Sequence, residues 1–337
     1  LTFIKMEDYE ITLSPGGLDQ LSNMIKAMYK DVHLFVITDH HVYQLYHEKF
    51  SAVLNDFLIQ YVVIEPGEKS KSLKTYQNVI DTLIEKGIKR SHLLVGFGGG
   101  VVGDLTGFVA ATLYRGIPYI HVPTSLLAMV DSSIGGKVGI DLPQGKNLIG
   151  AFNNPIMVFI DTDFLKTLPQ RDYRNGLAEM IKAGLIGDKK LYHALLEKEE
   201  VGETEIAQAI HVKRELVLSD PYDQKERMLL NFGHTFGHAI EKKHHYETYL
   251  HGEAVSYGML IALEVGIQLG ETKQELYDEV KALLIKRKLV CEPLLAMEDY
   301  KDAIVHDKKF LSDGLHFIVV TRPGDAKIVT LKMEDFS

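Results

Sequence analysis

Histidines stand at His234, His238 and His251, and carboxylates at Glu179 and Glu253, in one region of the chain that also holds Lys182, Arg227 and Asn231. His234 and His238 are four apart and so share one face of a helix, among the apolar neighbours Phe236, Ala239 and Ile240. A single histidine on such a face is more often a hydrogen-bonded core residue. Three of them between positions 234 and 251 favour ligation instead. Glu179 falls in an apolar-faced helical pattern over residues 176–182, where a buried carboxylate is costly unless paired or coordinated. Two imidazoles and one carboxylate would leave coordination positions open for a substrate, as in catalytic zinc sites. Spacing does not select which two histidines bind. His244 and His245 lie in a charged connector and belong on the surface.

A second constellation lies upstream. Gly98-x-Gly100-x-x-Gly103, followed by Asp104, comes after an apolar run and opens a helical pattern. There, glycines let the backbone approach a dinucleotide pyrophosphate at a helix N-terminus. The acidic residue usual some 20 positions downstream is missing, and the motif sits on a late βα unit. Asp39, at the end of an earlier strand pattern, is the better candidate for the ribose hydroxyls. Residues 65–71 also follow a strand end, where open α/β sheets bind ligands. Finally, the loop at 131–141 and Gly145-Lys146-Asn147 set Lys137 and Lys146 beside glycines, which suits them to hold an anion, although a plain surface hairpin would read similarly.

The elements that must position these groups alternate in the first half. Strand patterns at 33–38, 61–64, 93–96 and 119–122 are separated by helical patterns at 72–86 and 101–112. A last strand at 156–160 precedes helical patterns at 176–185, 189–197, 205–218, 227–242, 252–270 and 274–289. The expected fold is an α/β N-terminal domain over residues 1–155 with a Rossmann-like, mostly parallel sheet, then a mainly α-helical C-terminal domain over 156–337. Residues 197–205 and 242–246 read as charged connectors.

The length of 337 residues supports two domains. A net charge of -9 argues against nucleic acid or an acidic membrane as partner, so clustered cations need a local reason. Cys291 is the only cysteine, which excludes an intrachain disulfide and fits a reducing, cytoplasmic setting. No apolar run reaches membrane-spanning length.

The residues at 98–108, 123–137, 145–152, 177–182, 231–238 and 251–255 together resemble the motifs of the 3-dehydroquinate synthase family of sugar phosphate cyclases, and the similarity covers almost the whole chain. The resemblance implies conversion of 3-deoxy-D-arabino-heptulosonate 7-phosphate, a phosphorylated sugar acid, to 3-dehydroquinate and phosphate. It implies bound NAD, a divalent metal such as zinc or cobalt, and a homodimer. Matched by position, Glu179, His234 and His251 become the metal ligands, with His238 catalytic nearby. The NAD site carries over to Asp39, Glu68, Lys71, Gly99, Gly100, Val101, Val102, Gly103, Asp104, Thr124, Ser125, Leu127, Asp131, Phe164, Thr167 and Leu168, with Lys137 and Lys146 at its margin. Lys137, Lys146, Asn147, Lys182, Lys213, Arg227, Asn231 and Lys308 become substrate contacts, and Arg115 is offered across a dimer interface. The chain departs from the family at residues 220–226, where Asp223 and a lost glycine alter the loop before Arg227, and at the adjacent pair Lys308 and Lys309.

Three other functions compete. A metal-dependent alcohol or glycerol dehydrogenase would release NADH, but usually has a serine in the phosphate turn and more closely spaced histidines. Another sugar phosphate cyclase would have no use for a carboxylate-binding Arg227. A non-catalytic NAD-binding module would need neither the metal set nor the lysines.

Overall fold

The computed structural model describes residues 1–300 and 314–332. Two compact units divide the chain, Leu1–Leu168 and Pro169–Ser337. The expected division at 155/156 would have cut off a strand that the first unit's sheet contains.

In the first unit the elements are β1 (Thr2–Lys5), β2 (Glu10–Leu13), α1 (Asp19–Met28), β3 (Leu34–Asp39), α2 (His40–Val53), β4 (Ile59–Ile64), α3 (Leu73–Glu85), β5 (Leu93–Gly98), α4 (Gly100–Thr112), β6 (Tyr119–Pro123), β7 (Lys137–Leu142), β8 (Gly145–Phe152) and β9 (Met157–Ile160). Seven strands form one sheet in the order β1-β2-β9-β6-β5-β3-β4, parallel throughout except for the antiparallel pair β1–β2. Strands β5, β6 and β9 are buried along their whole length, as parallel strands covered on both faces must be. Helix α4 is apolar on nearly all sides and buries Val102, Leu105, Phe108 and Val109, so it packs as a core helix.

The strand order explains the late position of the glycine motif. From β3 the chain moves to β4 on one side, then returns to β5 on the other, so β3 and β5 flank the point where the winding reverses. Ligands of open α/β sheets bind beyond the strand ends at such a point. Asp39 ends β3 and Gly98 ends β5.

Strands β1 and β2 carried no clear period in the sequence. The loop expected at 131–141 is partly a hairpin: β7 and β8 pair antiparallel, preceded by a π-helical turn at Ala128–Ser132.

The second unit contains α5 (Gln170–Ile186), α6 (Lys189–Glu197), α7 (Glu203–Ser219), α8 (His234–Lys243), α9 (His251–Gln268) and α10 (Gln274–Lys286), then a hairpin of β10 (Leu315–Arg322) and β11 (Asp325–Leu331). Helix α9 is buried over most of its length and packs against α5, α8, α10 and β10. The helix expected over 227–242 is broken. A 3₁₀ turn at Glu226–Asn231 ends before Gly233, whose φ of +77° suits only glycine, and α8 starts after it. The same glycine is a contact point, since a Cβ there would lie 2.6 Å from Met259 Cγ. A Cβ on Gly258 would lie 2.0 Å from the Gly233 carbonyl oxygen. Glycine at both places lets the start of α8 press onto α9. Among the described residues no helix is long and apolar enough to cross a membrane.

Candidate active site

Three elements of the second unit bring Glu179, His234 and His251 together, with one ligand atom of each inside a 4.8 Å group. Glu179 projects from the buried half of α5, its side chain 2% exposed. His234 opens α8 and His251 opens α9. The start of α9 is fixed by Glu253, whose carboxylate reaches back to the Leu250 N–H at 2.9 Å and is gripped by Arg171 at 2.7 and 2.8 Å. Glu253 therefore shapes the helix end and does not join the cluster.

The two imidazoles face the same carboxylate oxygen. Nε2 of His234 and Nε2 of His251 each lie 3.6 Å from Glu179 Oε1. His234 Nδ1 lies 3.1 Å from the Phe232 carbonyl, a partner that can only accept, so the ring proton sits on Nδ1. Burial pushes this imidazole well below its ordinary range, helped by Lys182, His251 and His238, so it is neutral at neutral pH. Its Nε2 lone pair then points at an anionic oxygen that accepts no directed hydrogen bond. Acceptors converging without a donor between them fit a cation held there.

Lys182 lies one turn along α5 from Glu179, in ion-pair contact with its other oxygen, and both are buried. His238 shares a face of α8 with His234, at a ring separation of 5.4 Å, and is exposed. Arg227 and Lys213 are buried, and Asn231 ends the 3₁₀ turn, half-buried. Lys308, like Lys309, lies outside the described residues.

The altered loop before Arg227 is organised by a residue that motif matching passed over. Asp220 Oδ2 accepts from the backbone N–H of Gln224 at 2.8 Å, Lys225 at 2.5 Å and Arg227 at 3.3 Å. Burial would raise this carboxyl, but those donors and Arg227 outweigh it and leave it below the ordinary range. The Arg227 guanidinium donates to the Pro221 carbonyl at 2.6 Å. A carboxylate seven residues before a buried arginine, with a proline after it, was the available signal.

In the first unit the proposed cofactor residues collect at the C-terminal ends of the parallel strands. Asp39 caps α2, accepting from Val42 N–H at 2.9 Å. Glu68 and Lys71 follow β4, and Gly99, Gly100, Val101, Val102, Gly103 and Asp104 follow β5. Thr124, Ser125, Leu127 and Asp131 follow β6, while Phe164, Thr167 and Leu168 follow β9. No side chain caps α4, so its first-turn N–H groups remain available to an anion. Side chains here would intrude: a Cβ on Gly100 would come 3.0 Å from Ser132 Oγ, and one on Gly98 would come 2.7 Å from Val102. Glycine at these two positions is therefore required by packing within the unit itself. Val102 itself points into the core, 1% exposed, leaving only its backbone for a ligand.

Lys71 and Asp104 form a buried ion pair at 2.5 Å. Burial would lower the Lys71 ammonium, but Asp104 and Glu68 outweigh it and hold it above the usual lysine range. Lys146 Nζ lies 3.6 Å from Glu68, which links the β7–β8 hairpin to the segment after β4, and within the hairpin Asn147 N–H donates to Asp141 at 2.7 Å. Asp141 N–H completes the tie by donating to the Lys71 carbonyl at 2.8 Å. Lys137 is exposed at the start of β7. Phe164 packs against Phe97 and Tyr46, and the Thr167 hydroxyl contacts that of Tyr46. Arg115 is exposed in a short turn with positive φ at both Tyr114 and Arg115.

A cavity of about 620 Å³ in the second unit, lined in part by Arg171, Tyr249, Tyr257, Leu289 and Cys291, contains none of these residues.

The sequence matches two family models, 3-dehydroquinate synthase N-terminal over residues 61–175 and 3-dehydroquinate synthase C-terminal over residues 176–310. The 3-dehydroquinate synthase of Clostridium kluyveri is 42% identical over 341 residues, spanning 98% of this chain and 95% of its own. Among solved structures, 2-epi-5-epi-valiolone synthase from Streptomyces hygroscopicus subsp. jinggangensis, with NAD+ and Zn2+ bound, matches with a TM-score of 0.88 at 26% identity, over 100% of this chain and 96% of that one. A 2-deoxy-scyllo-inosose synthase complexed with carbaglucose-6-phosphate, NAD+ and Co2+ matches with a TM-score of 0.85 at 25% identity, over 99% of this chain and 98% of that one.

Proposed function

The chain belongs to the 3-dehydroquinate synthase family, and on that premise we propose how its own residues divide the work of the reaction. The reaction turns 3-deoxy-D-arabino-heptulosonate 7-phosphate into 3-dehydroquinate and phosphate, a step of the shikimate pathway. The observation that carries the assignment is the convergence of two imidazole Nε2 atoms on one oxygen of Glu179, each at 3.6 Å. Glu179, His234 and His251 hold the divalent metal, zinc or cobalt. The residues at the strand ends from Asp39 to Leu168 hold NAD, with Asp39 at the ribose, where its charge disfavours the extra phosphate of NADP. When bound, the metal acidifies a substrate hydroxyl and NAD takes up a hydride and returns it within the same turnover.

The remaining residues grip an anion at both ends. Arg227 presents a planar guanidinium to the substrate carboxylate, with Lys213 beside it in role, and Asp220 keeps the loop of Arg227 in shape. Lys137, Asn147, Lys308 and Arg115 hold the phosphate, whose own oxygen serves as base for its elimination. Lys182, Lys146, Asn231 and His238 orient the substrate oxygens and carry protons between them. Arg115, exposed on its own chain, is assigned to the site of a second copy in a homodimer, as the family resemblance implies. The setting is the cytoplasm, in keeping with a single free cysteine.

Metal content tests the ligand assignment. Glu179→Ala should be isolated folded but without zinc or activity, and full zinc content in that variant would refute it.

A further inference from the structure

We propose that Glu241 is a positioning residue for the metal centre: its buried carboxylate takes the Nδ1–H of His251 and thereby commits the Nε2 lone pair of that ring to the metal. The inference rests on the assignment of Glu179, His234 and His251 as ligands.

The two nitrogens of His251 face two different carboxylates. Nε2 lies 3.6 Å from Glu179 Oε1, while Nδ1 lies 3.4 Å from Glu241 Oε1. Glu241 is only 2% exposed, and a carboxylate is rarely buried so deeply unless it is paired. It stands seven residues after His234 on α8, two turns along the same face. One helix therefore supplies both a ligand and the group behind the other ligand. A histidine bound to metal through one nitrogen donates from the other, and that partner sets both tautomer and ring orientation. His234 follows the same rule with a different partner, the Phe232 carbonyl at 3.1 Å. The carboxylate behind His251 makes that ring the more basic donor of the two. The start of α9 is held separately by Glu253, which accepts from the Leu250 N–H and from Arg171, so Glu241 acts on the ring and not on the start of the helix.

His238, Glu241 and His251 also form a second group with metal-ligand spacing. A cation there would have to share the His251 ring with the first one. Bridging two cations through one imidazole requires loss of the remaining N–H proton, whereas donation to Glu241 keeps it. One cation with the Glu241 carboxylate behind its ligand is the arrangement that keeps this proton in place.

Glu241→Gln and Glu241→Met separate charge from hydrogen bonding. Metal-depleted full-length protein is titrated with Zn2+ and Co2+ against a chromogenic chelator, and the His251 ring is read by 15N NMR. The expected result is a loss of about 10–100-fold in affinity for both metals, larger for Met than for Gln. In the metal-free Met variant the Nε2–H tautomer of His251 should appear, which loss of packing alone would not produce. Wild-type affinity in both variants, with His251→Ala still losing the metal, would overturn the role of Glu241 and leave the ligand assignment standing. Binding of two cations per chain at this cluster would also overturn it. If Met prevents folding, Gln carries the test through affinity. A wild-type chain that takes up neither metal would instead remove the ligand assignment itself.

Discussion

Lys182→Met is expected to destabilise the second unit strongly without metal and only slightly with it. Lys182 and Glu179 are 3% and 2% exposed at the side chain, so the small value typical of surface ion pairs does not apply. Removing one partner of a buried pair costs about 3–5 kcal/mol, because the other is left buried and uncompensated. The His234 imidazole cannot take over, since it already spends its ring N–H on Phe232 and offers Glu179 only a lone pair. A divalent cation at Glu179 replaces the lost ammonium. What then remains is a swap of similar volume, which usually costs less than about 1.5 kcal/mol. Because a chain of two compact units need not unfold in one step, the assay is amide exchange of α5 peptides read by mass spectrometry, with chelator and with saturating zinc. Equal losses under both conditions would refute the placement of the metal at Glu179. Activity should vanish in the variant either way, because Lys182 is also assigned to the substrate oxygens.

Mixing inactive Arg115→Ala with inactive Lys182→Ala should restore part of the activity, since a hybrid dimer contains one site with both native residues. No recovery after confirmed subunit exchange would place Arg115 in its own chain's site. His121 provides a pH test in the first unit. Burial holds its imidazole down at about 4, against an ordinary value of 6.5, so it is neutral when folded. The unfolded chain binds the proton more readily, and stability is full above about pH 6.5 and falls as pH drops toward 4. The loss is on the order of 3 kcal/mol across that window. His121→Gln should flatten the curve between those limits, and an unchanged slope would assign the acid sensitivity elsewhere.

The sheet was legible in the first unit because runs such as 93–95 and 156–160 are continuously apolar, as strands buried on both faces are. Strands β1 and β2 were not legible. They are four residues each, too short to show a period, and their place depends on pairing with β9 more than 140 residues later. The broken helix at 226–243 was misread for a related reason: its apolar period continues across Gly233, and only the contact with Gly258 on α9 demands the break. At the site, residue types announced a metal cluster but their spacing left the choice among the histidines open; the family resemblance made that choice, and the structure places Glu179, His234 and His251 within reach of one another. Glu241 went unnoticed because surface carboxylates are common and nothing local marks it as buried, and Asp220 was marked only by the proline after it and by Arg227 seven residues on.

The measurement that bears most directly on the account is phosphate release from 3-deoxy-D-arabino-heptulosonate 7-phosphate by the purified full-length chain, with zinc and a limiting amount of NAD, while absorbance follows NADH. Many phosphates per NAD with no net NADH, abolished by chelation and restored by zinc, is the predicted result. NADH accumulating in step with product, or oxidation without phosphate release, would contradict it.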